Sequence, residues 1–111
     1  MKIAVTSQNV RNVTAHAGRC RKFWIYEFPE FGTEIDKKLV EVDINNTLHA
    51  MRASLPEALS EIDTLITAGI GESLKGKLLH AGVSTHISNQ SLPDVAALEY
   101  MAIISKLKHS N

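Results

Sequence analysis

Between Ser7 and Lys22 the chain gathers Arg11, Arg19, Arg21 and Lys22 with no acid among them, a local charge of +4. The same stretch holds His16 and Cys20, an imidazole and a thiol, both ligands of soft metals. Basic neighbours lower a thiol pKa and favour the metal-binding thiolate. His16 and Cys20 are therefore candidate metal ligands. Arg19 and Arg21 are candidate contacts to an anion, and Gly18 lets backbone approach one closely. Two plainer readings stand beside this. Long polar segments are often only solvated loops, and a lone cysteine is often a small buried hydrophobe. A tetrahedral site wants four ligands, and the chain has no second cysteine.

A second candidate is Thr67-Ala68-Gly69-Ile70-Gly71-Glu72-Ser73, which reads as strand, glycine turn and helix start. Unpaired N–H groups at such a junction suit an anion, so Gly69 and Gly71 are candidate contacts. A tight capped turn explains the same residues equally well. Leu74 breaks a complete dinucleotide fingerprint, and no phosphate-loop lysine follows. Of the other histidines, His49 opens a predicted helix and is a third candidate ligand. His80 sits late in a helix, His86 in a strand and His109 in the tail. No paired carboxylates, serine elbow or Cys-x-x-Cys point to catalysis, so the expectation is a binding protein and not an enzyme.

Five short strands are expected to position these groups. Lys2 to Thr6 alternates; Phe23 to Phe28 is aromatic and β-branched and stops at Pro29; Lys38 to Asp43 alternates again after a hairpin turn at Glu30 to Glu34. Leu48, Met51, Leu55, Leu59 and Ile62 then recur at helical spacing behind a Thr47 cap, with Pro56 predicting a kink or two short helices. Thr64 to Ala68 reads as a buried strand, Glu72 to Ala81 as a helix bearing Leu74, Leu78 and Leu79 and closed by Gly82, and Val83 to Ile87 as a strand. Ser91 caps a last helix with Pro93 and Asp94 in its first turn and Val95, Leu98, Met101, Ala102 and Leu107 on its buried side. The expected fold is α/β, a mixed sheet of about five strands with about three helices packed on it, in two or three layers.

Composition limits the partners. The 111 residues fit one domain, 1–111, and 12 basic against 12 acidic side chains give zero formal charge. No basic excess supports non-specific nucleic-acid binding. The apolar runs are too short to span a membrane, and the start turns polar too early for a secretory leader. A soluble cytoplasmic protein is expected, and one cysteine fits a reducing compartment. Charge is segregated, since Glu27 to Asp43 carries six acids against Lys37 and Lys38.

The blocks Met1-Lys2-Ile3-Ala4-Val5-Thr6-Ser7, His16-Ala17-Gly18-Arg19-Cys20 ahead of Phe23-Trp24-Ile25-Tyr26-Glu27, Asp63-Thr64-Leu65-Ile66-Thr67-Ala68-Gly69-Ile70-Gly71 and Leu78-Leu79-His80-Ala81-Gly82-Val83, in this order and spacing, resemble the dinitrogenase iron–molybdenum cofactor biosynthesis family. The resemblance covers nearly the whole chain. It implies a ribonuclease H-like mixed sheet and the binding or carriage of an iron–sulfur or molybdenum-containing cluster, with a cluster donor or acceptor protein as partner. His16, Gly18 and Arg19 carry over from the family's His-Phe-Gly-Arg loop, while Ala17 replaces its aromatic and Cys20 the small residue after it. The histidine- and glycine-rich stretch of many relatives is here Ile44-Asn45-Asn46-Thr47-Leu48-His49. The alternative is a metal-free interaction or regulatory module on the same fold, whose basic loop and acidic hairpin pair with a protein or with a second copy of the chain. A nuclease is set aside, because the predicted strands do not gather carboxylates for magnesium.

Overall fold

The structure, a computed structural model, describes residues 1–32, 34–51 and 54–108. Five strands form one sheet in the order β3-β2-β1-β4-β5. β1 (Lys2–Thr6) lies at its centre, antiparallel to β2 (Lys22–Glu27) and parallel to β4 (Thr64–Thr67). β2 continues antiparallel into β3 (Asp36–Glu41), and β4 runs parallel to β5 (Ser84–Ile87). β4 is buried along its whole length, as its Leu65-Ile66 centre requires of a strand covered on both faces. β3 lies two residues earlier than the alternation from Lys38 implied, because pairing fixes Glu27 opposite Asp36 and Lys22 opposite Glu41.

Alternating residues fill two cores. One face carries Ala4, Phe23, Ile25 and Leu65 under helix α1 (Glu72–His80), and the other carries Ile3, Val5, Tyr26 and Ile66 under helix α2 (Pro93–Lys108). The result is three layers with, among the described residues, two α-helices, one fewer than the sequence pattern implied. The helix expected over Leu48 to Ile62 is not formed among the described residues of that span, residues 52–53 lying outside them. Thr47 does cap a turn, its hydroxyl accepting the Ala50 N–H at 3.2 Å, but the turn does not propagate. Pro56 lacks an N–H and its ring excludes a preceding helical turn. The chain instead enters a 3-10 turn, Glu57–Leu59, directly after it. Leu48, Leu59 and Ile62 are still buried, so the apolar stripe located the core residues while misnaming the element.

α1 ends as its sequence predicts. Gly82 has φ +84°; its N–H donates to Leu79 and the Val83 N–H to Leu78, the paired bonds of a Schellman stop. Leu78 is buried and Leu74 partly so, but Leu79, a further 100° round, faces outward. α2 is rotated from the expected face: Ala96 and Ala97 are buried, with Tyr100 and Met101 packed beside them, while Val95, Leu98, Ala102 and Leu107 are exposed. Two alanines let the helix sit close to the sheet, and the Tyr100 hydroxyl accepts from Thr64 at 3.1 Å. Ser91 is not the cap. Its carbonyl accepts from Val13 and its hydroxyl from Asn12, while the Leu92 carbonyl takes the first helical bond from Ala96. Among the described residues no helix is long and apolar enough to cross a membrane.

Candidate functional site

The β1–β2 connection leaves the carboxyl end of β1 beside that of its parallel neighbour β4, where open α/β sheets place ligands. Buried hydroxyls fix it there. Thr6 Oγ1 donates to the Thr14 carbonyl at 2.6 Å and lies 2.9 Å from Thr67 Oγ1, which lies 3.1 Å from the same carbonyl. The Ala68 N–H also donates to Thr14, and the Ala17 N–H to the Gly69 carbonyl. The basic loop and the glycine turn, joined by bonds such as Thr67–Thr14 that span 53 residues, are thus one structure. Gly69 allows this approach, and Gly18 allows a similar one to the segment holding His49. A Cβ on Gly69 would stand 3.2 Å from that of Ala15, and one on Gly18 3.3 Å from that of His49.

Over this frame lies an open cleft of about 450 Å³ lined by Gln8, Thr14, Ala15, His16, Arg19 and Cys20. His16 is exposed and left-handed at φ 59°, ψ 52°, directly before the 3-10 turn Ala17–Arg19. A non-glycine residue in that region is held against a local preference. The surrounding bonds fix it: its own carbonyl accepts from Arg19. Arg19 is exposed on the rim. Gln8 gives its side-chain oxygen to the Arg21 N–H at 2.8 Å, which leaves its amide nitrogen, without a partner among the described residues, as a donor. Ala17, at the family's aromatic position, is wholly buried in the core.

Cys20 differs from the sequence expectation. It is 3% exposed, and its Sγ–H donates to the Lys22 carbonyl at 3.0 Å. Burial pushes the thiol up, against the smaller opposing pull of hydrogen bonds from its surroundings. Basic neighbours in sequence do not produce a thiolate here, because burial disfavours the charged form. Arg21 is also committed elsewhere: its Nε donates to the Val42 carbonyl at 3.1 Å, and it pairs with Glu41 at 3.5 Å. The Gly69 N–H turns inward to Thr67 Oγ1, while Gly71 is the exposed residue before α1. His49 lies against Gly18, its backbone N–H donating to the Gly18 carbonyl. His80 and His86 lie at the end of α1 and on β5, away from the cleft, and His109 falls outside the described residues.

Among the described residues no three His, Cys, Asp or Glu side chains come together as a group able to hold a metal ion. His16 and Cys20 line one cleft, but with His49 they do not make a ligand set. The cleft offers a cation, an imidazole, an amide and a hydroxyl around a neutral wall. That chemistry suits an anion bearing hydrogen-bond acceptors better than a bare metal ion. Sequence reasoning missed Gln8, Thr14 and the Thr6–Thr67 pair. Single polar residues carry no spacing signal, and only strand pairing brings them together.

The chain is similar to known folds and to one family. An NMR structure of a NifB-like protein of the DUF35 family from Thermotoga matches with TM-score 0.68 at 19% identity, over 91% of this chain and 87% of that one. The apo orange protein of Desulfovibrio gigas matches with TM-score 0.58 at 17% identity, over the same shares. A comparison with curated proteins gives no match. The family described as dinitrogenase iron-molybdenum cofactor matches residues 1–100, and the chain belongs to that family.

Proposed function

We propose that this protein is a non-catalytic carrier that receives a preformed anionic metal–sulfur cluster as cargo and passes it to a protein partner in the cytoplasm. Membership of the family supports a role in iron–molybdenum cofactor biosynthesis or metal-cluster handling, and such a role implies protein partners. The sheet order, with β2 antiparallel beside a parallel β1, supports the ribonuclease H-like reading. The observation that carries the proposal is the cleft itself, which His16 and Arg19 line beside the buried Cys20 thiol, with no gathered metal-ligand set among the described residues. Cluster sulfides accept hydrogen bonds, so Arg19, His16 and the Gln8 amide hold the cargo by charge and donation. A site without covalent ligation also releases what it holds, as a carrier must.

Anaerobic titration of the metal-free protein with tetrathiomolybdate, and separately with ferrous iron and sulfide, tests this by elemental analysis and charge-transfer absorption. Arg19→Glu and His16→Ala are expected to weaken binding about tenfold or more, the loss of a hydrogen bond to a charged cargo. Cys20→Ser is expected to leave the stoichiometry unchanged. Loss of the bands in Cys20→Ser alone would instead make the thiol a ligand, and wild-type binding by Arg19→Glu would remove the proposal.

A further inference from the structure

The two margins of the sheet are built differently. β3 carries Asp36, Lys37, Lys38 and Glu41, charges of the kind that keep strand edges apart. β5, Ser84-Thr85-His86-Ile87, carries no carboxylate, lysine or arginine, and it pairs on one side only. The Ser84 and Ser88 N–H groups donate to Asp63 and Thr67 of the β4 side, both at 3.0 Å. By alternation the N–H and C=O groups of Thr85 and Ile87 point outward, and no described residue pairs with them. The two buried side-chain polar atoms without a partner among the described residues, Thr85 Oγ1 and His86 Nε2, belong to this strand as well.

Exposed apolar side chains flank the open margin on both layers. Ile87 lies opposite Thr67, on the α1 face, where Leu79 is also outward; Ile87 is 48% exposed. On the other face Asp94 of α2 turns toward Tyr26 and Lys37 of β2 and β3. Ile103, nine residues on and half a turn round, therefore turns toward β5, and it too is exposed. The same helix meets β5 directly, Tyr100 lying 5.1 Å from the His86 ring.

We propose that β5 pairs antiparallel with β5 of a second copy about a two-fold axis, joining the two sheets into one of ten strands. A two-fold interface brings each residue to the same strand of its partner, so it must be self-compatible. An uncharged margin meets that condition in any register, whereas the charged β3 margin meets it only where opposite charges face one another. With His86 on the axis, Thr85 of one copy and Ile87 of the other exchange both backbone bonds, giving four across the join. Four residues of strand alone bury too little for a stable dimer, and Leu79, Ile87 and Ile103 supply the apolar flanks. The cargo cleft opens at the carboxyl end of β1, two strands inside the margin, so both copies keep it accessible.

Sedimentation and light scattering of the intact protein from micromolar to millimolar concentration test the pairing. Thr85→Pro removes an outward N–H that no bond among the described residues uses, and Ile87→Lys places a charge beside the axis. Both are expected to weaken dimerisation about tenfold or more, with unchanged circular dichroism. In the wild type the Thr85 and Ile87 amides should gain hydrogen-exchange protection as concentration rises. Should Thr85→Pro fail to fold, Ile87→Lys and the exchange measurement decide. A wild type still monomeric at millimolar concentration, or a dimer untouched by the substitutions and without amide protection, overturns the proposal.

Discussion

Cys20 shows how far a residue's environment outranks its neighbours in sequence. Its thiol is buried and bonded to the Lys22 carbonyl, and its pKa lies above the ordinary 9.0. Unfolding would return it to that value, so above pH 9 the unfolded chain releases a proton that the folded one retains. The fold is fully supported by this group below pH 9 and loses that support as pH rises through the folded value. Tyr26 acts in the same direction. Burial, then its bond to Asp94, pushes the phenol well above 10.0. Urea melts are therefore expected to show stability falling above about pH 9, less steeply in Cys20→Ala, and thiol reagents should label Cys20 only on unfolding. Asp94 has the opposite sign. Lys37, 2.6 Å away, and the Tyr26 hydroxyl hold its carboxyl below the usual range, so its contribution is present at neutral pH and lost on acidification. Tyr26→Phe removes one bond to a charged acceptor and is expected to cost about 1–2 kcal/mol at pH 7, measured by the same melts.

The elements were legible where local chemistry and burial agree. Gly82 is an example: a left-handed stop was readable from Leu78-Leu79-His80-Ala81-Gly82-Val83, and the structure closes it with the Leu78–Val83 bond. Gly82→Ala forces a Cβ into φ +84° and is expected to destabilise the protein by about 1–2 kcal/mol. The same substitution at Gly76, inside α1 with open space around it, should be neutral or stabilising by about 1 kcal/mol. Thermal melts of the pair separate backbone conformation from side-chain volume. Four strands were visible for the same reason, being short runs with β-branched or aromatic residues, whereas β3 was placed two residues late because Asp36-Lys37-Lys38 carries no such signal. The segment from Thr47 to Ile62 was not, because burial of Leu48, Leu59 and Ile62 requires only that they face the core, and turns broken by Pro56 satisfy that as well as a helix. Nor was the rotation of α2, whose apolar residues occupy nearly every side. There Ala96 and Ala97 win the sheet through closeness of approach, a property of the pair of surfaces and invisible in either alone. At the site, the basic loop and the glycine turn were legible, but the neutral thiol and the diversion of Arg21 to Glu41 depend on tertiary neighbours.

At the scale of the molecule, the meander β1-β2-β3 and the β4-α1-β5 unit meet along the β1–β4 pair. The hydroxyls of Thr6 and Thr67, 61 residues apart, join them at the end where the cleft opens. Both converge on one acceptor, the Thr14 carbonyl two residues before His16, so the loop's position depends on both halves of the sheet at once. Valine matches threonine in shape but removes the hydroxyl. Thr67→Val leaves the Gly69 N–H without its acceptor and the Thr14 carbonyl with one donor fewer. A loss of about 1–3 kcal/mol is expected for a buried group left unpaired, with Thr6→Val comparable. The double variant should lose less than the sum, because both hydroxyls serve the same carbonyl and each other. If the cleft is the cargo site, tetrathiomolybdate affinity should fall in each variant, although neither side chain lines the cleft. Arg19→Glu should weaken binding while leaving the melt nearly unchanged. Comparing melts and titrations across these variants separates positioning from contact. Threonine variants that melt early yet bind as the wild type would show that the loop can be displaced without harm, and that the cargo rests elsewhere.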